Sequence, residues 1–329
     1  MELQGARTLV TGAGGFIGSH LTEALVRAGA TVTAFVRYGS DGLDGHLRML
    51  APDVRQHVRL VAGDLRDAGS IRRAMAGQQV VFHLGALIAI PYSYQDPVNV
   101  TETNVLGTLH TLDAAREVGV ARFVHTSTSE VYGTAQRVPI DESHPLVPQS
   151  PYAASKVGAD ALALSYERSF GLPVSIVRPF NCYGPRQSGR AVIPALGNQA
   201  LQRDEVRVGS LTPTRDFTYV TDTVDGFLAV AASDAAVGRT VNLASGREIS
   251  IGDLAARLLR LVGRDLPIVA DDSRLRPKES EVHRLLGDST LAAQLTGWAP
   301  QVTLDAGLGQ VLDFLRAHPD WTRPDRYEV

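Results

Sequence analysis

The sequence predicts an α/β protein, a Rossmann-type doubly wound parallel sheet followed by a smaller α/β substrate domain. Three observations predict it. Short β-branched runs alternate with helical stretches through the first half of the chain, the rhythm of strand, helix and parallel strand. A glycine-rich turn, Gly12-Ala13-Gly14-Gly15-Phe16-Ile17-Gly18, follows the first run and opens the first helix. After about residue 180 the rhythm breaks into Pro- and Gly-bearing loops with shorter helical segments.

Thr8-Leu9-Val10 reads as the first strand and residues 16–28 as a helix closed by Gly29. Further strands are expected at 31–36, at 58–61 (ending at Gly63-Asp64), at 79–84, at Arg122–Thr126 and at 174–178. Helices at 104–118 and 152–169 lie between them. Such alternation implies a parallel sheet covered on both faces and joined by right-handed crossovers. Residues 1–180 are therefore expected to form a dinucleotide-binding domain and 181–329 a second domain. Val206–Val208 and Thr240–Leu243 read as strands of this second part, although segments around 215–245 are expected to return to the first domain.

Composition narrows the class. Hydrophobic residues make up 44% and charged residues 20%, ordinary values for a soluble globular chain of 329 residues. A net charge of −3 argues against nucleic acid or an anionic membrane as the main partner. The apolar runs are too short to span a bilayer. Met1-Glu2-Leu3-Gln4-Gly5 lacks the basic and apolar regions of a signal peptide, so a cytoplasmic protein is expected. The one cysteine, Cys182, excludes an internal disulfide, and no Cys/His cluster has zinc spacing, so no metal is expected. Of 32 basic residues only Lys156 and Lys278 are lysines. Position 156 thus keeps a lysine where arginine is used almost everywhere else.

In the glycine turn, Gly12 permits a tight bend, Gly15 lets backbone N–H groups approach a pyrophosphate, and Gly18 allows close helix–sheet packing. The second strand ends Phe35-Val36-Arg37, without the acidic residue that binds an NAD ribose. Arg37 either receives the 2′-phosphate of NADP or is a solvated loop arginine. Asp64-Leu65 after the third strand is placed to meet the adenine, and Leu84-Gly85-Ala86 after the fourth lies near the cofactor ribose.

Tyr152 and Lys156 stand four apart on an expected helix and face the same side. A lysine cation there is expected to lower the phenol's pKa, so that the phenolate acts as a base. Thr126-Ser127-Thr128-Ser129-Glu130 sits at the carboxyl end of the fifth strand, where ligands bind such sheets. Thr128 is expected to align a substrate hydroxyl with Tyr152, and Glu130 to act as a second acid or base.

With these features together the chain resembles the extended short-chain dehydrogenase/reductase superfamily along nearly its whole length. Asn181-Cys182-Tyr183-Gly184-Pro185-Arg186, Arg215-Asp216-Phe217-Thr218-Tyr219-Val220 and Arg276-Pro277-Lys278 look like its branch that modifies nucleoside-diphosphate sugars. The resemblance implies bound NAD, recycled within each turnover, with NADP left open by Arg37. To the cofactor contacts it adds Phe16, Ile17 and Asn104, besides Tyr152 and Lys156. It implies substrate contacts at Tyr92, Thr128, Asn181, Arg186, Val192, Arg215 and Arg276, the arginines holding the diphosphate. It also implies a homodimer formed through helices 104–118 and 152–169. No role is implied for Lys278.

Within that branch the shared first step is oxidation at sugar C4, and neighbouring residues decide the fate of the 4-ketone. A 4-epimerase needs only the Thr, Tyr and Lys set. A 4,6-dehydratase must also remove the C5 proton and expel the C6 hydroxyl. Most such dehydratases carry Thr-Asp-Glu where this chain reads Thr128-Ser129-Glu130. Ser129 is a poor acid, and Thr-Ser-Glu also resembles the UDP-glucuronate decarboxylases. Ala89-Ile90-Pro91-Tyr92-Ser93-Tyr94, Gly184-Pro185-Arg186-Gln187-Ser188 and Gly209-Ser210-Leu211-Thr212-Pro213-Thr214-Arg215 are similar to the NDP-N-acetylglucosamine 4,6-dehydratases of the legionaminic-acid type, serine included. This likeness implies dehydration of a UDP- or GDP-N-acetylglucosamine, with Glu130 as the C5 base. A UDP-hexose or UDP-glucuronate 4-epimerase comes second and a decarboxylase third.

Overall fold

A computed structural model describes residues 1–38, 44–275 and 277–321. Its strands in chain order are β1 (Arg7–Thr11), β2 (Thr31–Arg37), β3 (Val58–Gly63), β4 (Val80–His83), β5 (Arg122–Thr126), β6 (Val174–Pro179), β7 (Val206–Val208), β8 (Thr214–Asp216), β9 (Thr240–Leu243), β10 (Glu248–Ser250) and β11 (Ile268–Ala270). Seven of them form one sheet in the order β3-β2-β1-β4-β5-β6-β9, with every pair parallel. The central strands are apolar runs because both faces are covered. Leu9, Val10, Phe82, Phe123, Val124 and Ile176 are inaccessible to solvent. The Rossmann-like class expected from the alternation is the class observed.

The strand Thr240–Leu243 belongs to this main sheet. It pairs with β6, Ile176 opposite Thr240 and Pro179 opposite Leu243. Helix Val220–Ala232, which precedes it, packs against helix Phe16–Arg27 and against β5 and β6. The smaller part is built from a parallel pair, β7 with β11, and an antiparallel pair, β8 with β10. Helices Ile251–Val262 and Leu304–Ala317 pack on helix Val192–Gln202 beside them. Helix Ile251–Val262 buries Ile251, Leu254, Ala255, Leu258 and Leu259, one stripe at 3.6-residue spacing.

Helix Pro151–Phe170 starts with Pro151 at its first position. Ser150 caps it, the hydroxyl accepting from the Ala153 N–H at 3.1 Å, and Gly171 ends it in the left-handed region. Residues 104–118 depart from the regular helix expected there. Glu102–Leu106 form a π-helical turn, and the α-helix runs Gly107–Val118. The wider turn accompanies two local demands. The Asn104 side chain reaches across to Leu87, and Gly107 lies so close to Leu65 that a Cβ would stand 2.8 Å from the Leu65 Cβ. No helix among the described residues is long and apolar enough to cross a membrane.

Candidate active site

The site lies at the carboxyl ends of β1, β4 and β5. Gly12 takes φ +70°, and a Cβ there would stand 2.8 Å from the Gly85 nitrogen. A Cβ at Gly18 would run into the Gly12 carbonyl, which is why the helix can seat directly on the turn. Gly15 differs. Its N–H donates to the Gly12 carbonyl at 3.0 Å, and a Cβ would approach only that oxygen, at 3.2 Å, among the described residues. Helix Phe16–Arg27 starts here without a side-chain cap or an acidic residue in its first turn. Its free N–H groups and the uncrowded face of Gly15 fit a dinucleotide pyrophosphate. Phe16 and Ile17 form that first turn.

The ribose and adenine side is set by three segments. Arg37 is exposed at the end of β2. Hydrogen bonds from Arg66, Nη2 to Oδ2 at 2.7 Å and backbone N–H to Oδ1 at 2.8 Å, hold the Asp64 carboxyl below its usual range. Leu65 is buried under Gly85 and Gly107. Leu84, Gly85 and Ala86 leave β4 through a directed chain of hydrogen bonds. The Gly85 N–H donates to Thr11 Oγ1 at 3.1 Å, and Thr11 Oγ1 lies 2.8 Å from His83 Nδ1. His83 Nε2 meets Thr108 Oγ1 at 3.0 Å, and Thr108 spends its proton on the Asn104 carbonyl at 2.6 Å. The network therefore assigns the His83 proton to Nε2. Asn104, 1% exposed, accepts from the Leu87 N–H at 2.8 Å and donates to the Leu87 carbonyl and to Ser155 Oγ, both at 2.9 Å. Ser155 donates on to the Tyr152 carbonyl at 2.7 Å. The loop after β4 is thus tied to the helix carrying Tyr152 and Lys156.

Thr128 caps the turn Ser129–Tyr132, its hydroxyl accepting from the Glu130 N–H at 3.2 Å, and it also hydrogen-bonds the Tyr152 phenol. Tyr152 and Lys156 are buried one turn apart on helix Pro151–Phe170. Burial raises the Tyr152 pKa above its ordinary value, the Thr128 hydrogen bond opposes this, and the charges of Glu130 and Asp160 add to the rise. The expected lowering by Lys156 is therefore not what the chain alone displays. The physical reason is shared burial, which disfavours the phenolate and also pushes Lys156 down to about 8, against the pull of Asp160. Thr128 and Glu130 are partly exposed at the crevice, whereas Ser129 is buried at 2%.

The expected substrate residues divide. Asn181, at φ +20°, donates from Nδ2 to the Asp216 carbonyl at 3.0 Å and so ties the loop after β6 to β8. Arg215 of β8 is buried, and its Nη2 donates to Glu281 Oε1 at 3.2 Å. Tyr92, on helix Ile90–Gln95, donates to Asp96 Oδ2 at 3.3 Å and accepts from Asn99 Nδ2 at 2.7 Å. Val192 is the first residue of helix Val192–Gln202. Arg186 sits elsewhere. At φ +68° it turns to helix Phe16–Arg27 and donates to Glu23 Oε2 at 3.0 Å. There it lines a cavity of about 1130 Å³ with His20, Phe314 and Trp321, to which neither Thr128 nor Tyr152 contributes. Arg276 lies outside the described residues. Desolvation pushes the Cys182 thiol up, away from thiolate character.

Sequence reasoning missed the polar row behind the site. Thr11, His83 and His125 are register neighbours across β1, β4 and β5. Arg178 of β6 donates to Asp160 of helix Pro151–Phe170, Nη2 to Oδ2 at 2.8 Å. The signal was present: each of these strands carries a polar residue near its carboxyl end.

A dinucleotide cradle set against a buried tyrosine and lysine at the edge of a parallel sheet defines a class, the nucleotide-sugar enzymes of the extended short-chain dehydrogenase/reductase type. The comparisons with known proteins agree. The profile of the family described as GDP-mannose 4,6 dehydratase matches residues 9–311, and the chain belongs to that family. It is 37% identical over 323 residues to a dTDP-glucose 4,6-dehydratase of Streptomyces griseus, covering 96% of each chain. It is 34% identical over 317 residues to a UDP-glucose 4-epimerase of Mycolicibacterium smegmatis, covering 94% of this chain and 98% of that one. Among solved structures it resembles DesIV, a dTDP-glucose 4,6-dehydratase of Streptomyces venezuelae solved with NAD bound. The TM-score is 0.86 at 34% identity, with 97% and 99% of the two chains covered. The protein is thus an NDP-sugar 4,6-dehydratase or 4-epimerase.

Proposed function

We propose that the protein is an NAD-dependent NDP-sugar 4,6-dehydratase, with a UDP- or GDP-N-acetylglucosamine as substrate. The observation that carries the reading is the convergence of Thr128 and Glu130 on Tyr152: one hydrogen-bonds the phenol and the other acts on it by its charge. Gly12, Gly15 and Gly18 would seat the pyrophosphate, and Lys156 the nicotinamide ribose. NAD, when bound, supplies a reversible store for the C4 hydride, which a dehydratase returns at C6.

Tyr152 accepts the proton of the C4 hydroxyl, with Thr128 aligning that hydroxyl. The resulting 4-ketone acidifies C5. Glu130 then takes the C5 proton while the C6–O bond breaks and the C5–C6 double bond forms. The departing hydroxide leaves as water with that same proton, because Ser129 is buried and offers no acid of its own. Arg215 would meet the diphosphate by exchanging its Glu281 contact for phosphate oxygens.

A second reading, 4-epimerisation, is favoured by the missing acid at Ser129 and needs only Thr128, Tyr152 and Lys156. Incubation with each nucleotide sugar followed by mass spectrometry separates the two. A product lighter by one water is expected. An unchanged mass with inverted C4 refutes dehydration, and loss of carbon dioxide from a uronate points to decarboxylation. We infer further that the enzyme acts as a cytoplasmic homodimer through helices Gly107–Val118 and Pro151–Phe170, which expose Val118 and Phe170. Light scattering tests the dimer.

A further inference from the structure

The sheet behind Tyr152 and Lys156 holds a buried polar cluster that the proposed chemistry does not use. His83 and His125 stack with ring centroids 5.7 Å apart, both inaccessible to solvent. Burial lowers both imidazoles, His125 to about 4, so neither carries charge at neutral pH. Asp160 is 2% exposed and lies four residues after Lys156 on the same helix face. Its Oδ2 accepts from Arg178 Nη2 at 2.8 Å, from Arg178 Nε at 3.2 Å and from Ser127 Oγ at 2.8 Å. Its Oδ1 faces His125 Nε2 at 3.3 Å. Arg178 is thus paired with this carboxylate directly, whereas Lys156, buried one turn earlier on the same helix face, feels it through charge alone.

We propose that Asp160 is a positioning residue for catalysis, a carboxylate anchored by Arg178 and Ser127 that holds the Lys156 ammonium charged beside Tyr152. The inference rests on the roles proposed above for Tyr152 and Lys156. Several ionisable groups surround the ammonium. Tyr152 and Asp160 come from its own helix, His83, His125 and Arg178 from the sheet, and Glu130 from the turn after β5. Of these, Asp160 is the anion whose charge acts on Lys156. A guanidinium does not give up its proton inside a protein, whereas a buried ammonium does. Losing the carboxylate would leave two buried cations, and the lysine is the one able to relieve the cost. With both histidines neutral, Lys156 and Arg178 together carry one positive charge more than Asp160. A charged Lys156 beside Tyr152 would then offset the phenolate formed once the C4 proton has moved, against the opposing charges of Glu130 and Asp160.

The composition makes a direct test possible, because the chain has only two lysines. In cofactor-free protein grown with lysine carrying ¹³C at Cε, two signals are expected, and Lys278→Arg assigns them. The Lys156 signal should titrate near pH 8. In Asp160→Asn its midpoint should fall by about one pH unit or more, and Asp160→Glu should restore it. In Arg178→Met the carboxylate remains, so the midpoint should stay at or above the wild-type value. An unmoved midpoint in Asp160→Asn overturns the proposal, as does an equal fall in Arg178→Met, which would mark a mere loss of packing. If Asp160→Asn does not fold, Arg178→Met decides alone: a midpoint at or above wild type supports the assignment and a lower one overturns it. In the active enzyme, Asp160→Asn should move the alkaline limb of kcat to lower pH while KM for the nucleotide sugar holds. A wild-type enzyme that turns over no nucleotide sugar would count against the proposed function, not against the titration.

Discussion

Asn104→Ala tests how the loop after β4 is held against the helix bearing Tyr152. The side chain makes three hydrogen bonds, two to the backbone of Leu87 and one to Ser155. Alanine leaves the Leu87 N–H and carbonyl without these partners, while Ser155 keeps its bond to the Tyr152 carbonyl. At about 1 kcal/mol for each bond, and more for a polar group left buried, the loss is about 3 kcal/mol. With roughly 2–4 °C per kcal/mol for a chain of this order of size, Tm should fall by about 6–12 °C. Thermal unfolding of the cofactor-free protein, followed by circular dichroism, measures it. Thr101→Ala, an exposed change on the neighbouring turn, should move Tm by no more than about 2 °C. If Asn104→Ala moved Tm no further than that control, the clamp would carry none of the energy assigned to it.

Five other outcomes are expected. Tyr152→Phe should abolish turnover on every nucleotide sugar while leaving dinucleotide binding intact, read by activity and by calorimetry. Glu130→Gln should stop dehydration yet permit C4 oxidation, seen as NADH absorbance that accumulates; full activity would reduce Glu130 to a structural carboxylate. Lys156→Arg should cripple turnover and Lys278→Arg should be nearly silent, compared by kcat. Gly18→Ala should cost about 3 kcal/mol or more and expel the dinucleotide, because its methyl meets the Gly12 backbone rather than a movable side chain. Extraction of the purified protein should yield NAD, and mainly NADP would reverse the cofactor assignment.

Where the sequence was readable, the constraint was local. The central strands before residue 180 are apolar runs because both faces are covered, Gly12 takes a positive φ, and Gly18 is required by contacts within its own turn. Tyr152 and Lys156 follow from helical spacing alone. Features that depended on distant partners were not readable. The contact of Arg186 with Glu23, far away in sequence, is one example. The return of segments around 215–245 to the first domain was expected from the sequence, but the register of β9 on β6 was not. The π-helical turn at Glu102–Leu106 answers to Leu87 and Leu65, neither of them nearby in the chain. The direction of the Tyr152 shift depends on burial that only tertiary packing creates. The histidine pair needed the register of β4 and β5 before two separate strand residues became neighbours.

The claim on which the functional reading stands is that Tyr152 and Glu130 act in sequence, the first at the C4 hydroxyl and the second at C5. Turnover of UDP- or GDP-N-acetylglucosamine in D₂O tests it most directly, by mass spectrometry with NMR of the product. The expected product has lost one water and carries a single solvent deuterium, located on C5. A product of unchanged composition with no deuterium on carbon would contradict the claim and leave an epimerase that uses Thr128, Tyr152 and Lys156 alone.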